Sequence, residues 1–184
     1  GLSGVGKTRL VQALFDDRIG TDALNPSLAF YTDMSDSPQP NPKTFAEQLS
    51  QTSKRAIIIV DNCPPELHRK MTEVCTKSQS GISLLTVEYD VKDDIPEETQ
   101  VFRLQTASIE VIEKIISTRY SFINQIDTSA IAKFSDGNAR VAIALANTFK
   151  NGDTLSGFRD EQLFERLFWQ RNERDDDLLQ AAEV

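Results

Sequence analysis

The order of apolar and polar positions predicts strands in the first part of the chain and helices in the second. Residues 56–62 are almost continuously apolar and rich in isoleucine, as expected for a strand buried on both faces of a parallel sheet. Segments with apolar residues at helical spacing lie between such runs, and this alternation indicates a parallel sheet. The predicted strands are residues 27–35, 56–62, 82–87 and 100–104, and the predicted helices are residues 43–52, residues 66–77 and a segment from the first residues to a stop near Gly20.

From Thr106 onward, helical spacing replaces the strand pattern. Ser108 is predicted as an N-cap, with Glu110 in the first turn of its helix. The aromatic stripe of the last helices is interpreted as helix packing. The later predicted helices are residues 128–134 with a stop near Gly137, a helix opened by residues 136–140 that ends near Gly152, a helix with Asp160 as its N-cap, and one that starts at residues 175–177.

The chain opens with Gly-Leu-Ser-Gly-Val-Gly-Lys-Thr, which fits the phosphate-binding motif G-x-x-x-x-G-K-[ST] known as the P-loop. Its glycines let the backbone turn tightly and approach a polyphosphate, and its amides form an anion-binding nest. The motif predicts that Lys7 neutralises the β- and γ-phosphates and that the Thr8 hydroxyl coordinates Mg²⁺. The residues predicted to surround the nucleotide are Gly1, Ser3, Gly4, Val5, Gly6, Lys7, Thr8 and Arg9.

A second candidate is Asp61, at the end of the apolar run 56–62. An acid there reaches the Mg²⁺ shell directly or through water, and the alternative is a solvent-facing aspartate after a buried strand. Many ATPases of this type carry a second acid next, whereas this chain has Asn62. Asparagine orients a water but cannot accept its proton, which predicts slow hydrolysis or a base elsewhere, with Glu66 and Glu88 as candidates.

The segment 86–90 is predicted to lie at the carboxyl edge of the sheet, where open α/β sheets bind their ligands. A polar residue there could sense a γ-phosphate. For Glu88 and Asp90 the alternative is a pair of solvated loop acids. The residues predicted to take part in catalysis are Lys7, Asp61, Asn62 and Glu88.

Composition narrows the function. The net charge of −8 gives no basic footprint for nucleic acid. No apolar run approaches the roughly 20 residues of a membrane span. One histidine, His68, and two cysteines, Cys63 and Cys75, make neither a zinc-ligand cluster nor a disulfide framework, which predicts reduced cysteines in a cytoplasmic protein. Because the chain begins at the P-loop without the strand that precedes one, we expect a fragment of a longer protein.

The P-loop, the run from Ile57 to Asp61 and the helices that follow resemble the STAND class of signal-transducing NTPases, which is related to AAA+ proteins. The opening phrase is similar to the Gly-rich loop of NACHT and NB-ARC members, and later segments resemble large bacterial STAND proteins, including those that sense phage. The resemblance implies an α/β three-layer P-loop NTPase fold that binds ATP and Mg²⁺. It divides the chain into an NTPase core in residues 1–105, a helical lid in residues 106–152 and the start of a winged-helix-like region in residues 153–184.

The resemblance extends to residues 136–140, which are similar to a lid motif in which a Gly-x-x-Arg turn opens a helix under the nucleotide. It implies that Arg140 contacts the γ-phosphate and that residues 137–139 lie near the adenine, although Ala139 stands where many STAND proteins have proline. The alternative for Arg140 is a surface arginine near a helix start. The class also implies a homo-oligomer formed through the full-length protein, with a trigger-sensing region and an effector outside this chain and no membrane partner.

The sequence is compatible with three functions. The first is an ATP-binding switch, in which the γ-phosphate draws the sheet and the lid together and hydrolysis, if it occurs, is slow. The second is an AAA+ motor or loader acting on nucleic acid, which fits the lid motif but not Asn62 or the acidic balance. The third is a P-loop kinase for a small molecule, with Asp33 as the acid that meets its substrate.

Overall fold

The computed structural model describes residues 4–52, 54–77, 80–88, 99–150, 154 and 160–167. These residues form an α/β fold with three strands and seven α-helices. The strands are β1 (Ala29–Asp33), β2 (Ala56–Asp61) and β3 (Ile82–Thr86). The helices are α1 (Lys7–Ala13), α2 (Pro42–Ser50), α3 (Pro65–Cys75), α4 (Ile109–Arg119), α5 (Gln125–Phe134), α6 (Ala139–Ala146) and α7 (Asp160–Arg166).

The chain divides into two compact units. The first runs from Gly6 to Leu104, and the second runs from Gln105 onward and includes Gly4 and Val5. The first unit therefore contains the sheet with α1 to α3, and the second contains α4 to α7. The three segments expected from the resemblance stay a prediction.

The sheet of the first unit is parallel, with the strand order β1-β2-β3. β2 is central and almost fully buried, with Ile58 at 1% and Val60 at 0% exposure, as its unbroken apolar sequence requires. On one face these side chains pack with residues of α2 and α3, including Ala46 and Met71. Because all three strands run in one direction, their last residues meet at one edge, where Asp33 of β1 is in register with Asp61 of β2.

The second unit has its own core between α4, α5 and α6. Ile112, Ile116, Ile131 and Leu145 are fully buried at its centre. Each of these helices begins at a polar N-cap whose side chain accepts a backbone N–H of the first turn, which satisfies a donor that the helix itself leaves open. The N-caps are Ser108, Asn124 and Asn138.

The structure confirms the strands predicted at residues 27–35, 56–62 and 82–87, within about two residues at each end. It also confirms helices at residues 43–52, at residues 66–77 and after the Ser108 cap. The helix predicted at 128–134 is α5, which begins three residues earlier because Asn124 caps it. Asp160 is the first residue of α7 as described, and the helix start predicted at 175–177 lies outside the described residues.

The strand predicted at residues 100–104 is wrong. These residues carry no regular structure, and Phe102 is 79% exposed. An extended segment becomes a strand only when a neighbouring backbone supplies hydrogen bonds, and none of the described residues pairs with this one. The apolar pattern that suggested a strand contains no information about such a neighbour.

Two helices end earlier than predicted. α1 stops at Ala13 rather than near Gly20, because the N–H groups of Phe15 and Asp16 bond three residues back, to Gln12 and Ala13. α6 stops at Ala146 rather than near Gly152 for the same reason, since Thr148 and Phe149 also bond three residues back. The Thr148 hydroxyl also bonds the Leu145 carbonyl at 2.7 Å, which takes that acceptor from a continuing helix.

Candidate functional site

The central contact of the candidate site joins Thr8 to Asp61, which are 53 residues apart in sequence. Thr8 lies in the first turn of α1, and Asp61 is the last residue of β2 and only 5% exposed. The Thr8 hydroxyl donates a hydrogen bond of 2.6 Å from Oγ1 to Oδ2 of Asp61. The structure thus brings together the two residues that the sequence predicts as Mg²⁺ ligands.

The turn before α1 depends on glycine. Gly6 is the N-cap of α1 and has a φ of 98°, a left-handed conformation that side chains other than glycine rarely adopt. Glycine offers no side-chain acceptor, so no side chain caps the first turn of α1. The donors of that turn are the ones that a phosphate-binding loop presents to an anion.

Asp61 accepts two further hydrogen bonds. The Tyr31 hydroxyl donates to Oδ2 at 3.1 Å, and the backbone N–H of Asn62 donates to Oδ1 at 2.9 Å. A carboxylate has about four lone-pair positions, so three are occupied and the remaining one is on Oδ1. Burial raises the pKa of Tyr31 to about 12, aided by its hydrogen bond to Asp61, so the phenol stays a donor across the ordinary pH range.

Sequence reasoning placed Tyr31 in a predicted strand but missed its part in the site. Residues 31 and 33 lie on the same face of β1 because side chains alternate along a strand. A tyrosine two residues before an acidic strand end was therefore a usable signal, once β1 was known to be the neighbour of β2.

Asn62 is turned towards β1. Its φ of 52° is left-handed, and its Nδ2 donates to Oδ1 of Asp33 at 2.8 Å and to Oγ of Ser35 at 3.1 Å. The bond from Asn62, followed by that from the Ser35 backbone N–H, holds the pKa of Asp33 below its ordinary value. Asn62 thus ties together the ends of two neighbouring strands, and its predicted role in orienting a water stays a prediction.

The two acids considered as bases lie in different surroundings. Glu66 is exposed in the first turn of α3, where hydrogen bonds from Arg69 and Lys70 lower its pKa. Glu88 follows β3 and is largely covered, with 12% of its side chain exposed. Its Oε1 lies 3.4 Å from the Thr86 hydroxyl and 3.6 Å from Nδ1 of His68.

Glu88 also affects a neighbouring thiol. Burial, together with the charge of Glu88, raises the pKa of Cys63 to about 12, so Cys63 is an unreactive core residue. The other predicted loop acid, Asp90, lies outside the described residues, as do Gly1 and Ser3.

Gly4 and Arg140, two predicted site residues, are close to each other in the second unit. A Cβ added at Gly4 would lie 2.5 Å from Oδ1 of Asn138 and 2.6 Å from Cβ of Arg140. Asn138 cannot move away easily, because its Oδ1 accepts the N–H groups of Arg140 and Val141 as the cap of α6. Position 4 therefore requires glycine for two reasons: its φ of 84° is left-handed, and a side chain would collide with Asn138 and Arg140.

The remaining predicted residues lie at the start of α1 and directly before it. Lys7 is the first residue of α1 and is half-buried, and Val5 precedes the Gly6 cap. Arg9 is exposed and donates from Nη1 to Oε1 of Gln12 at 2.9 Å. Across the described part of the chain, no group of three or more His, Cys, Asp or Glu side chains is placed to hold a metal, and no helix is long and apolar enough to cross a membrane.

Neither a scan against protein-family models nor a search of curated proteins finds a match to this chain. Its function must therefore be argued from the residues and their geometry.

Proposed function

We propose that this chain is the nucleotide-binding part of a STAND-class P-loop ATPase and that it works as an ATP-dependent switch. The observation that supports this most directly is the 2.6 Å contact between Thr8 and Asp61. It links the end of a motif specific for phosphate binding to the acid at the end of a central parallel strand. A turn that resembled the motif only by chance would not be expected to meet that acid.

The donor set fits magnesium. Mg²⁺ takes oxygen ligands and retains several waters. Since the Thr8 proton points to Asp61, the lone pairs of Thr8 Oγ1 remain for the ion. Oδ2 of Asp61 already accepts two hydrogen bonds, so Asp61 would serve mainly as an outer partner of the ion that orients Thr8. When bound, the ion would neutralise charge on the phosphate oxygens.

The phosphates are assigned to the loop and to Lys7. The left-handed turn at Gly6 leaves the first turn of α1 without a side-chain cap, which suits an anionic ligand. Lys7 provides the positive charge for the β- and γ-phosphates. Arg140 stays a proposal from the resemblance for the γ-phosphate.

A switch is favoured over a rapid ATPase because position 62 is occupied by an amide that is already engaged. Asn62 uses its Nδ2 on Asp33 and Ser35 and cannot accept a proton. A base would have to come from elsewhere, with Glu88 as the covered acid at the same end of the sheet. Slow turnover keeps the ATP-bound state populated, as a switch requires.

The finer architecture belongs to the same proposal. It comprises a three-layer NTPase core, a helical lid and the start of a winged-helix-like region, in a cytoplasmic protein that assembles as a homo-oligomer. A trigger-sensing region and an effector would belong to the longer protein.

The test is ATP binding in the presence of Mg²⁺, measured by calorimetry. Lys7→Ala should abolish binding, whereas Asn62→Ala should leave it intact, since Asn62 contacts Asp33 and Ser35. Lys114→Ala, at an exposed position of α4, is the matched control and should bind as the unaltered chain does. Normal ATP binding by Lys7→Ala would end the proposal.

A small-molecule kinase is the second candidate, and Asp33 is the observation in its favour. Asp33 ends β1 in register with Asp61, at the edge of the sheet where the candidate site lies. A phosphorylated small molecule found in a turnover screen, and lost with Asp33→Asn, would favour the kinase over the switch.

A further inference from the structure

We propose that Tyr31 is a positioning residue of the magnesium site, which holds the Asp61 carboxylate in the orientation that Thr8 requires. This inference rests on the proposed function and adds to it a residue outside both nucleotide motifs.

The geometry follows from the register of two neighbouring strands. Tyr31 of β1 is in register with Ile59 of β2, two residues before Asp61. A long side chain reaches the diagonal neighbour on the adjacent strand. Tyr31 does so with its hydroxyl, which lies 3.1 Å from Oδ2 of Asp61.

The two hydroxyls on Oδ2 fix the rotation of the carboxylate. Thr8 and Tyr31 both donate to Oδ2, which fills its two lone-pair positions, while Oδ1 receives the N–H of Asn62. Without the Tyr31 hydroxyl, Oδ2 loses one of its two donors and the carboxylate can turn away from Thr8. Tyr31 therefore determines the orientation of the Asp61 carboxylate in the site.

Tyr31 is a hydrogen-bond donor at neutral pH, as any phenol is. It is 54% exposed as a residue, so it is not held in place by a packed core. Loss of the hydroxyl alone should leave the fold intact, which makes Tyr31→Phe a clean perturbation.

The experiment separates nucleotide affinity from metal affinity. ATP binding is measured first with EDTA and then at fixed ATP over a Mg²⁺ titration, for the unaltered chain, Tyr31→Phe and Thr32→Val. Thr32 is the matched control, because it lies on the same strand with its side chain on the opposite face. Circular dichroism and thermal unfolding check that each variant is folded.

We expect Tyr31→Phe to bind ATP with unchanged affinity in EDTA and to need about 10-fold more Mg²⁺ for half-maximal effect. This is the lower end of the range found when an outer partner of a metal ligand is removed, because Tyr31 acts on the ion only through Asp61 and Thr8. Thr32→Val should titrate as the unaltered chain does. An unchanged or lower Mg²⁺ requirement in Tyr31→Phe would overturn the inference while leaving the proposed function intact. If the unaltered chain binds no ATP, or binds it without regard to Mg²⁺, both fall.

Discussion

The hydrogen bond between Thr8 and Asp61 is the main support for the proposed function, and its strength can be measured without any nucleotide. A hydrogen bond to a charged group contributes about 1.5–3 kcal/mol to stability. Thr8 is half-buried, and Tyr31 remains on the same oxygen when Thr8 is removed. We therefore expect a coupling energy at the low end, about 1.5 kcal/mol.

The perturbation is a double-mutant cycle of Thr8→Val and Asp61→Ala, each of which removes one partner of the hydrogen bond. If the bond is present in solution, the double variant should lose clearly less stability than the two single losses added together. Thr52→Val with Asp61→Ala is the control cycle. The Thr52 hydroxyl bonds the Leu49 carbonyl before the start of β2, whereas Asp61 ends β2, and the two ends of this strand are about 16 Å apart at about 3.3 Å per residue. The effects of these two substitutions should therefore add.

The assay is hydrogen exchange of the β2 amides, because it reports the stability of the first unit separately from that of the second. A coupling energy below about 0.5 kcal/mol, the usual scatter of additive pairs, would mean that Thr8 and Asp61 do not meet in solution. The argument for a magnesium site would then lose its main support.

Three further predictions concern other parts of the chain. Thr128 is fully buried in α5, and its Oγ1 has no hydrogen-bond partner among the described residues. Thr128→Val should therefore raise the free energy of unfolding of the second unit by about 1 kcal/mol, as measured in urea. Thr148→Val, which loses a 2.7 Å hydrogen bond, should lower it. The pKa of Cys63 near 12 predicts alkylation by iodoacetamide at pH 8 about three orders of magnitude slower than in the unfolded chain, and comparable rates would contradict its burial. Asn62→Ala should raise the pKa of Asp33 towards its ordinary value, as measured by carboxyl NMR. Since the folded-state pKa is the lower one, Asp33 adds stability above about pH 4 that is lost as the pH falls, and this dependence should weaken in Asn62→Ala.

The sequence predicted the parts of this molecule that depend on local chemistry. The apolar run of β2, the cap at Ser108 and the P-loop motif all express preferences of residues for the backbone around them. Asp61 could be named because a strand that ends in an acid after a P-loop is a specific pattern. Its contact with Thr8 is what that pattern requires.

The predictions that were wrong or incomplete depend on contacts with other segments of the chain, which the local sequence pattern does not specify. Residues 100–104 contain the apolar and aromatic residues typical of a strand, but a strand also needs a neighbour, and sequence alone does not specify one. Tyr31 was read as an apolar strand residue because its polar end matters only once β1 is known to lie beside β2. α1 ended early because Phe15 and Asp16 changed their hydrogen-bond partners, which the apolar spacing did not reveal.

The backbone at residue 62 restricts how this site could be changed into that of a rapid hydrolase. A left-handed φ of 52° suits asparagine, aspartate and glycine, whereas glutamate would be strained by about 1–2 kcal/mol. Aspartate fits the backbone, but it would replace an amide donor 2.8 Å from Asp33 with a second negative group. Two carboxylates so close together cannot both stay ionised, so they would share a proton. Asn62→Asp alone would therefore give two carboxyl groups that share one proton, and the new acid would be a poor general base. Fast hydrolysis would require a substitution of Asp33 as well.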